Sequence, residues 1–274
     1  MSGLRGFAAT DRAVLRVAGP EARGWLQDLV TNDVSAAAPD RAVYAALLTP
    51  QGKYLFDFFV LDGGGEALLI DVAAERAPAL AQRLGLYKIR RKVTVEDVSE
   101  TETVALVWGE GAPTPPPPAI ALADPRAAAL GWRIYGPDPA AALAAVGAAE
   151  GTRSEYDALR VAACAPETGV ELIPDETFIL EAGFDRLNGV DFRKGCYVGQ
   201  EVTARMRHKT ELRKGLLRVK VEGRAPPPGA AAVSAEGKPA GALFTVAGDE
   251  GLAHLRFDRA EGATAGGARL TPIA

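Results

Sequence analysis

Asp191-Phe-Arg-Lys-Gly-Cys-Tyr-Val-Gly-Gln-Glu201 sets one of the chain's two cysteines between two glycines, behind an arginine and a lysine and ahead of a glutamine and a glutamate. Glycines remove the side chains that would shield Cys196 and permit backbone angles that other residues avoid. Arg193 and Lys194 bring positive charge that favours a thiolate, the form of cysteine that reacts or binds metal. A cysteine buried in an inert turn has little need of that combination. Cys196 and Lys194 are therefore the candidate catalytic residues.

The surroundings of the motif are basic. Residues 191–214 carry seven Lys and Arg against three Asp and Glu, in a molecule of net charge −4. Alternation through Val202–His208 predicts a strand with Arg205 and Arg207 on one face, suited to a carboxylate, a phosphate or a polyglutamate tail. Lys88-Ile-Arg-Arg-Lys92 reads as a second basic stretch, on a strand through Val95, fit for the same pocket or for an RNA backbone. The acidic whole argues against indiscriminate binding to nucleic acid or membrane.

At 274 residues, 48% hydrophobic and 24% charged, the chain has room for two or three domains of ordinary globular composition. No apolar run approaches the ~20 residues that span a bilayer, and Met1–Gly6 lacks the apolar core of a signal peptide. A cytoplasmic protein without a membrane partner is expected. Cys164 and Cys196 make no disulfide framework, and His208 and His254 stand far apart, so no self-contained metal site is expected. Cys164 reads as a core residue on a helix, and a cluster at Cys196 would need ligands from a partner or a second molecule.

Working outward, Val14–Val17 reads as a strand and Gly19-Pro20-Glu21 as a helix start with Trp25, Leu26, Leu29 and Val30 on its apolar face, ended by Thr31-Asn-Asp33. Val43–Leu48 and Tyr54–Leu61 flank the turn Thr49-Pro-Gln-Gly52, and strand Ala67–Val72 precedes a helix over roughly 74–84. Strands near 103–108, 119–123 and 132–135, with a helix near 138–146, suggest a second α/β portion. The proline-rich segments 113–118 and 226–229 read as surface loops. Ser154-Glu-Tyr-Asp157 starts a helix through Ala163. After 210, Gly215–Val221, Ala240–Val246 and Gly251–Phe257 are short strands without helical period, a small all-β domain.

Lys194-Gly-Cys-Tyr-Val-Gly-Gln-Glu201 with Ala204-Arg205 resembles the signature of the YgfZ-type folate-binding proteins, relatives of the glycine-cleavage aminomethyltransferase that act in iron–sulfur cluster assembly and repair. Trp25–Asp33, Leu48–Lys53 with Asp57, Tyr87–Val93 and Glu176–Ile179 match that family in the expected order, so the resemblance spans about residues 20–210. The segment Asn188–Phe192 resembles the mitochondrial and alphaproteobacterial branch more than the enterobacterial one. The resemblance implies an α+β fold with two interwoven ferredoxin-like α/β units (1–210) and a C-terminal β-barrel (211–274) around a central opening. It implies tetrahydrofolate or a one-carbon derivative as cofactor, with Asn32, Asp33, Asp57, Arg90, Lys194, Tyr197, Gln200, Glu201 and Arg205 as binding residues. It implies iron–sulfur assembly proteins or client iron–sulfur enzymes as partners, with a cluster shared transiently at Cys196.

One departure stands out. The glycine-cleavage enzyme carries adjacent aspartates where this chain has Phe56-Asp57, and aminomethyl transfer needs a group to handle the proton on the reacting nitrogen. An assembly factor is thus expected ahead of a one-carbon transferase. A tRNA-modification link is read as indirect, without direct tRNA binding. Asp191 reads equally as a loop cap or a ligand contact, and Tyr197 as a packing aromatic ahead of a stacking platform.

Overall fold

The computed structural model describes residues 3–209 and 211–273. Met1, Ser2, Thr210 and Ala274, and with Thr210 the expected boundary between body and barrel, lie outside the described residues. The elements run β1 (Arg5–Ala8), β2 (Arg12–Ala18), α1 (Ala22–Gln27), β3 (Val43–Leu48), β4 (Tyr54–Asp62), β5 (Ala67–Ala73), α2 (Ala77–Tyr87) and β6 (Thr94–Asp97). They continue with β7 (Thr103–Trp108), β8 (Ile120–Ala123), β9 (Trp132–Gly136), α3 (Pro139–Ala145), β10 (Ala149–Glu150), α4 (Arg153–Ala162) and α5 (Gln200–Lys209). The last six strands are β11 (Lys214–Glu222), β12 (Ala230–Val233), β13 (Pro239–Ala247), β14 (Glu250–Arg256), β15 (Ala263–Ala265) and β16 (Ala268–Pro272).

Two compact units result. The first comprises Met1–Leu48, Phe56–Thr152 and Asn188–Val198; the second comprises Thr49–Leu55, Arg153–Leu187 and Gly199–Ala274. The first holds two mixed α/β sheets, in order β3-β4-β5-β2-β6 and β10-β1-β7-β9-β8. The chain enters one sheet with β1, builds the other with β2 to β6, and returns with β7, so the sheets are interwoven. Strands β3 and β4 are buried along nearly their whole length. Their near-continuous apolar sequence is what coverage on both faces demands.

In the second unit β11-β14-β13-β12-β15-β16 close into a barrel. Val219, Val221, Leu243, Leu255 and Leu270 fill it, and closure leaves no strand edge to aggregate. The Thr49–Gly52 turn closes with the Gly52 amide donating to Thr49 O at 2.9 Å. Gly52 has φ +75, a left-handed position that suits glycine.

Two sequence expectations are corrected here. Val202–His208 lies in α5 and is not a strand, so Arg205 and Arg207, two residues apart, do not share a face. Thr203 is buried and Val202, Ala204 and Met206 are half-buried, so the covered positions do not alternate as a strand's would, a pattern that a seven-residue window hides. Glu201 in the first turn and Arg207, His208 and Lys209 in the last complement the helix dipole. Likewise Lys88–Val93 is not a strand. Helix α2 continues to Tyr87, whose carbonyl accepts the Trp25 indole N–H at 3.1 Å, and Arg91 N then closes a turn onto Lys88 O. The strand β6 begins only at Thr94, opposite Ala18.

Candidate functional site

Helix α1 is six residues long, and the chain leaves it through Asp28–Val30 into Thr31-Asn32-Asp33. Each of these three residues makes polar contacts. The Thr31 hydroxyl donates to Gly189 O at 2.7 Å and accepts from Ala46 N at 2.8 Å. The Asn32 amide donates to Tyr44 O and to Asn188 O, at 2.8 and 2.6 Å. Asp33 accepts from the Ser35 amide and hydroxyl, and the Ser35 hydroxyl in particular holds its carboxyl below the usual range. Asp191 N donates back to Thr31 O, and Asp191 Oδ1 caps Arg193 N at 2.7 Å. The Thr-Asn-Asp turn and the segment leading to the cysteine are thereby stitched together.

Lys194 completes the seam. Its Nζ donates to Gln27 O at 2.6 Å, Val30 O at 2.5 Å and Asn32 O at 3.0 Å. Gln27 closes α1, where the last C=O groups have no helical partner and the dipole favours a cation, and Val30 and Asn32 follow in the chain that leaves it. Burial pushes the Lys194 pKa down to about 8, against the pull of Asp33, Asp191 and Asp28. The ammonium also lies 5.4 Å from the buried Tyr197 ring. Two residues past this anchor, Cys196 is exposed as a free thiol. Of the flanking glycines, Gly199 has φ +82, whereas a side-chain carbon at Gly195 would meet nothing within 4 Å. Only the second glycine answers a conformational need.

Beside the seam lies a cavity of about 520 Å³, lined by Asn32, Asp33, Arg41, Tyr44, Asn188 and Asp191 among others. Of the expected binding residues, Asn32 and Asp33 reach it. Asp57 lies behind it: 5% exposed, it accepts the Tyr44 hydroxyl at 2.9 Å and so fixes a wall residue from the protein side. Arg90 sits on the Lys88–Arg91 turn, away from the cavity lining, with φ +62. Gln200, Glu201 and Arg205 belong to α5 in the second unit, the first two in its opening turn. There Arg207 pairs with Asp185 at 3.0 Å. Cys164 falls just past the end of α4, half-buried at φ +49, and burial pushes its thiol up.

Beneath the cavity wall runs a buried ionic network that the sequence reading missed. Asp71 accepts from Arg12 at 2.6 Å, Arg133 at 2.8 Å and the Tyr135 hydroxyl at 2.9 Å. Asp124 pairs with Arg126 at 2.8 Å and lies 3.6 Å from Arg133. The three guanidiniums surround the Phe59 ring, Arg133 closest at 4.0 Å. Burial raises both carboxyls, but Arg12 and Arg133 at Asp71, and Arg126 at Asp124, more than reverse it and leave both below the usual value. The signal was in the sequence: a charge inside each of the strands Ala67–Ala73 and Trp132–Gly136.

Comparison with known proteins agrees with this architecture. Residues 7–114 match the GCVT N-terminal domain and residues 213–274 the CAF17 C-terminal beta-barrel domain. The crystal structure of the glycine cleavage system aminomethyltransferase T from Bartonella henselae superposes with a TM-score of 0.77 over 99% of this chain and 85% of that one, at 15% identity, a likeness of fold. The mitochondrial iron–sulfur cluster assembly factors IBA57 of Mus musculus and Homo sapiens are each 35% identical, over 93% of this chain and 78% of theirs. Both are mitochondrial proteins, which overturns the expectation of a cytoplasmic one drawn from composition and the first six residues. With a GCVT-like body, a closed C-terminal barrel and this degree of identity over most of both sequences, the chain belongs to the IBA57 family of iron–sulfur cluster assembly factors.

Proposed function

We propose that this protein is a tetrahydrofolate-binding assembly factor of the YgfZ type, serving iron–sulfur proteins through the Cys196 thiol. The observation that carries the reading is the exposed Cys196 on a loop anchored, through Asp191 and Lys194, to the Thr31–Asp33 turn that lines the cavity. A volume of about 520 Å³ lies within the range of small-molecule sites. The donor set suits a reduced pterin. Its ring N–H and amino group present two parallel donors, and a carboxylate such as Asp191 accepts such a pair side by side. Arg41 offers a cation to the glutamate tail. Bound folate would supply a carrier for a one-carbon unit.

A cluster is cargo in this scheme. Cys196 contributes one thiolate, and the remaining ligands come from an assembly protein, a client enzyme or a second copy. Among the described residues no group of three or more His, Cys, Asp and Glu is placed to hold a metal ion. The transferase alternative needs a carboxylate at the reacting folate nitrogen, and the buried engagement of Asp57 with Tyr44 weighs against it. Calorimetric titration with tetrahydrofolate tests the folate part. Binding weakened at least tenfold by Asp33→Ala combined with Asp191→Ala is expected; absence of binding to the wild type contradicts it.

A further inference from the structure

The most exposed large apolar side chains of the described residues are Leu86 and Ile89, at 63% and 78%. They stand three residues apart, at the end of α2 and on the turn after it. The same helix buries Ala77, Leu80 and Leu84, so Leu86 belongs to its outer side. Around the pair lie Arg83, Lys88, Arg90, Arg91 and Lys92, with no acidic residue between 83 and 92, in a chain of net charge −4. Arg91 pairs with Glu21 at 3.0 Å, and Glu21 also accepts Lys92 N. Arg83, Lys88 and Arg90 make no ion pair among the described residues. Arg90 holds a left-handed backbone conformation that non-glycine residues seldom adopt.

This tip and the cysteine loop share one anchor. Arg91 reaches Asp28 at 3.9 Å, while Lys194 grips the carbonyl of the preceding residue, Gln27, at 2.6 Å. Both exposed elements are thus fastened to consecutive residues at the end of α1.

We infer that the Leu86–Arg90 tip is a docking surface for an acidic protein that presents an apolar side chain among carboxylates, held beside Cys196. The inference rests on the proposed role of Cys196 only for the cluster-handling step after docking. Two aliphatic side chains are too little apolar area to seat a helix in a lipid interface, where a whole helix face inserts. Single-stranded nucleic acid would call for exposed aromatic platforms, and the exposed apolar pair here is aliphatic. A carboxylate-rimmed apolar contact matches both the charge and the shape, and it steers association while fixing register.

The test places a photoreactive benzophenone amino acid at Ile89 of the full chain in cells lacking the endogenous protein. Cross-linked peptides are then read by mass spectrometry. Adducts to an acidic protein segment are expected, reduced at least fivefold by Arg83→Glu/Lys88→Glu/Arg90→Glu and unchanged by Cys196→Ser. That last arm separates docking from the thiol's role. The triple variant is expected to keep wild-type thermal unfolding and tetrahydrofolate affinity while client iron–sulfur enzyme activity falls at least fivefold. Adducts confined to lipid or RNA, adducts indifferent to charge reversal, no adduct, or flotation of the protein with phosphatidylglycerol vesicles that Ile89→Glu abolishes would each overturn the inference.

Discussion

Three carbonyl oxygens converge on the Lys194 ammonium, and no other common side chain offers three donors from one atom. The sequence marked Lys194 as a charge beside a thiol; the structure gives that charge a second duty, closing the end of α1. Lys194→Met leaves the carbonyls without their donor and is expected to cost about 1–3 kcal/mol in denaturant unfolding. Lys194→Arg is expected to restore little, because a planar guanidinium spreads its donors over separate atoms. Asp57 teaches the same lesson from the other side. Its position in a strand was legible, but only packing reveals that Tyr44 stands between it and the cavity. Tyr44→Phe, which removes the hydroxyl that Asp57 accepts, is expected to destabilise by about 1–3 kcal/mol and to weaken tetrahydrofolate binding in calorimetry.

At the scale of elements, long apolar strands and punctuated turns were readable. Strands β3, β4 and β5 with the turn at Thr49–Gly52 follow from periodicity and from Pro and Gly placement. Short charged segments were not readable, because a few residues fit both periods: α5 looked like a strand, and the turn after α2 was taken into β6. The pairing of sheets was equally hidden, since Asp71 and its partners Arg12 and Arg133 lie 59 and 62 residues apart. Asp71→Asn leaves two guanidiniums in a buried setting with a poorer partner, and a loss of about 3–5 kcal/mol is expected by chemical denaturation. Asp71 and Asp124 have folded pKa values below 3.8, so the unfolded chain takes up their protons first as pH falls. Their contribution is full above about pH 4, and it is lost as pH drops below that through the folded values. A denaturant midpoint that declines below about pH 4, with a shallower decline in Asp71→Asn, is the expected profile.

For the molecule as a whole, the cysteine signature and the ordered matches upstream pointed to an aminomethyltransferase-like body and a barrel. The domain matches, the superposition and the 35% identity to IBA57 proteins support that architecture. Composition gave no access to compartment, which is an address read by other machinery and not a property of the folded core. Membership of the assembly-factor family makes the exposed thiol the centre of the account. The decisive measurement is the activity of a client iron–sulfur enzyme in cells whose only copy of this protein carries Cys196→Ser. The variant is expected to fold, to unfold at the wild-type temperature and to leave the client without its activity. Full client activity with Cys196→Ser would contradict it.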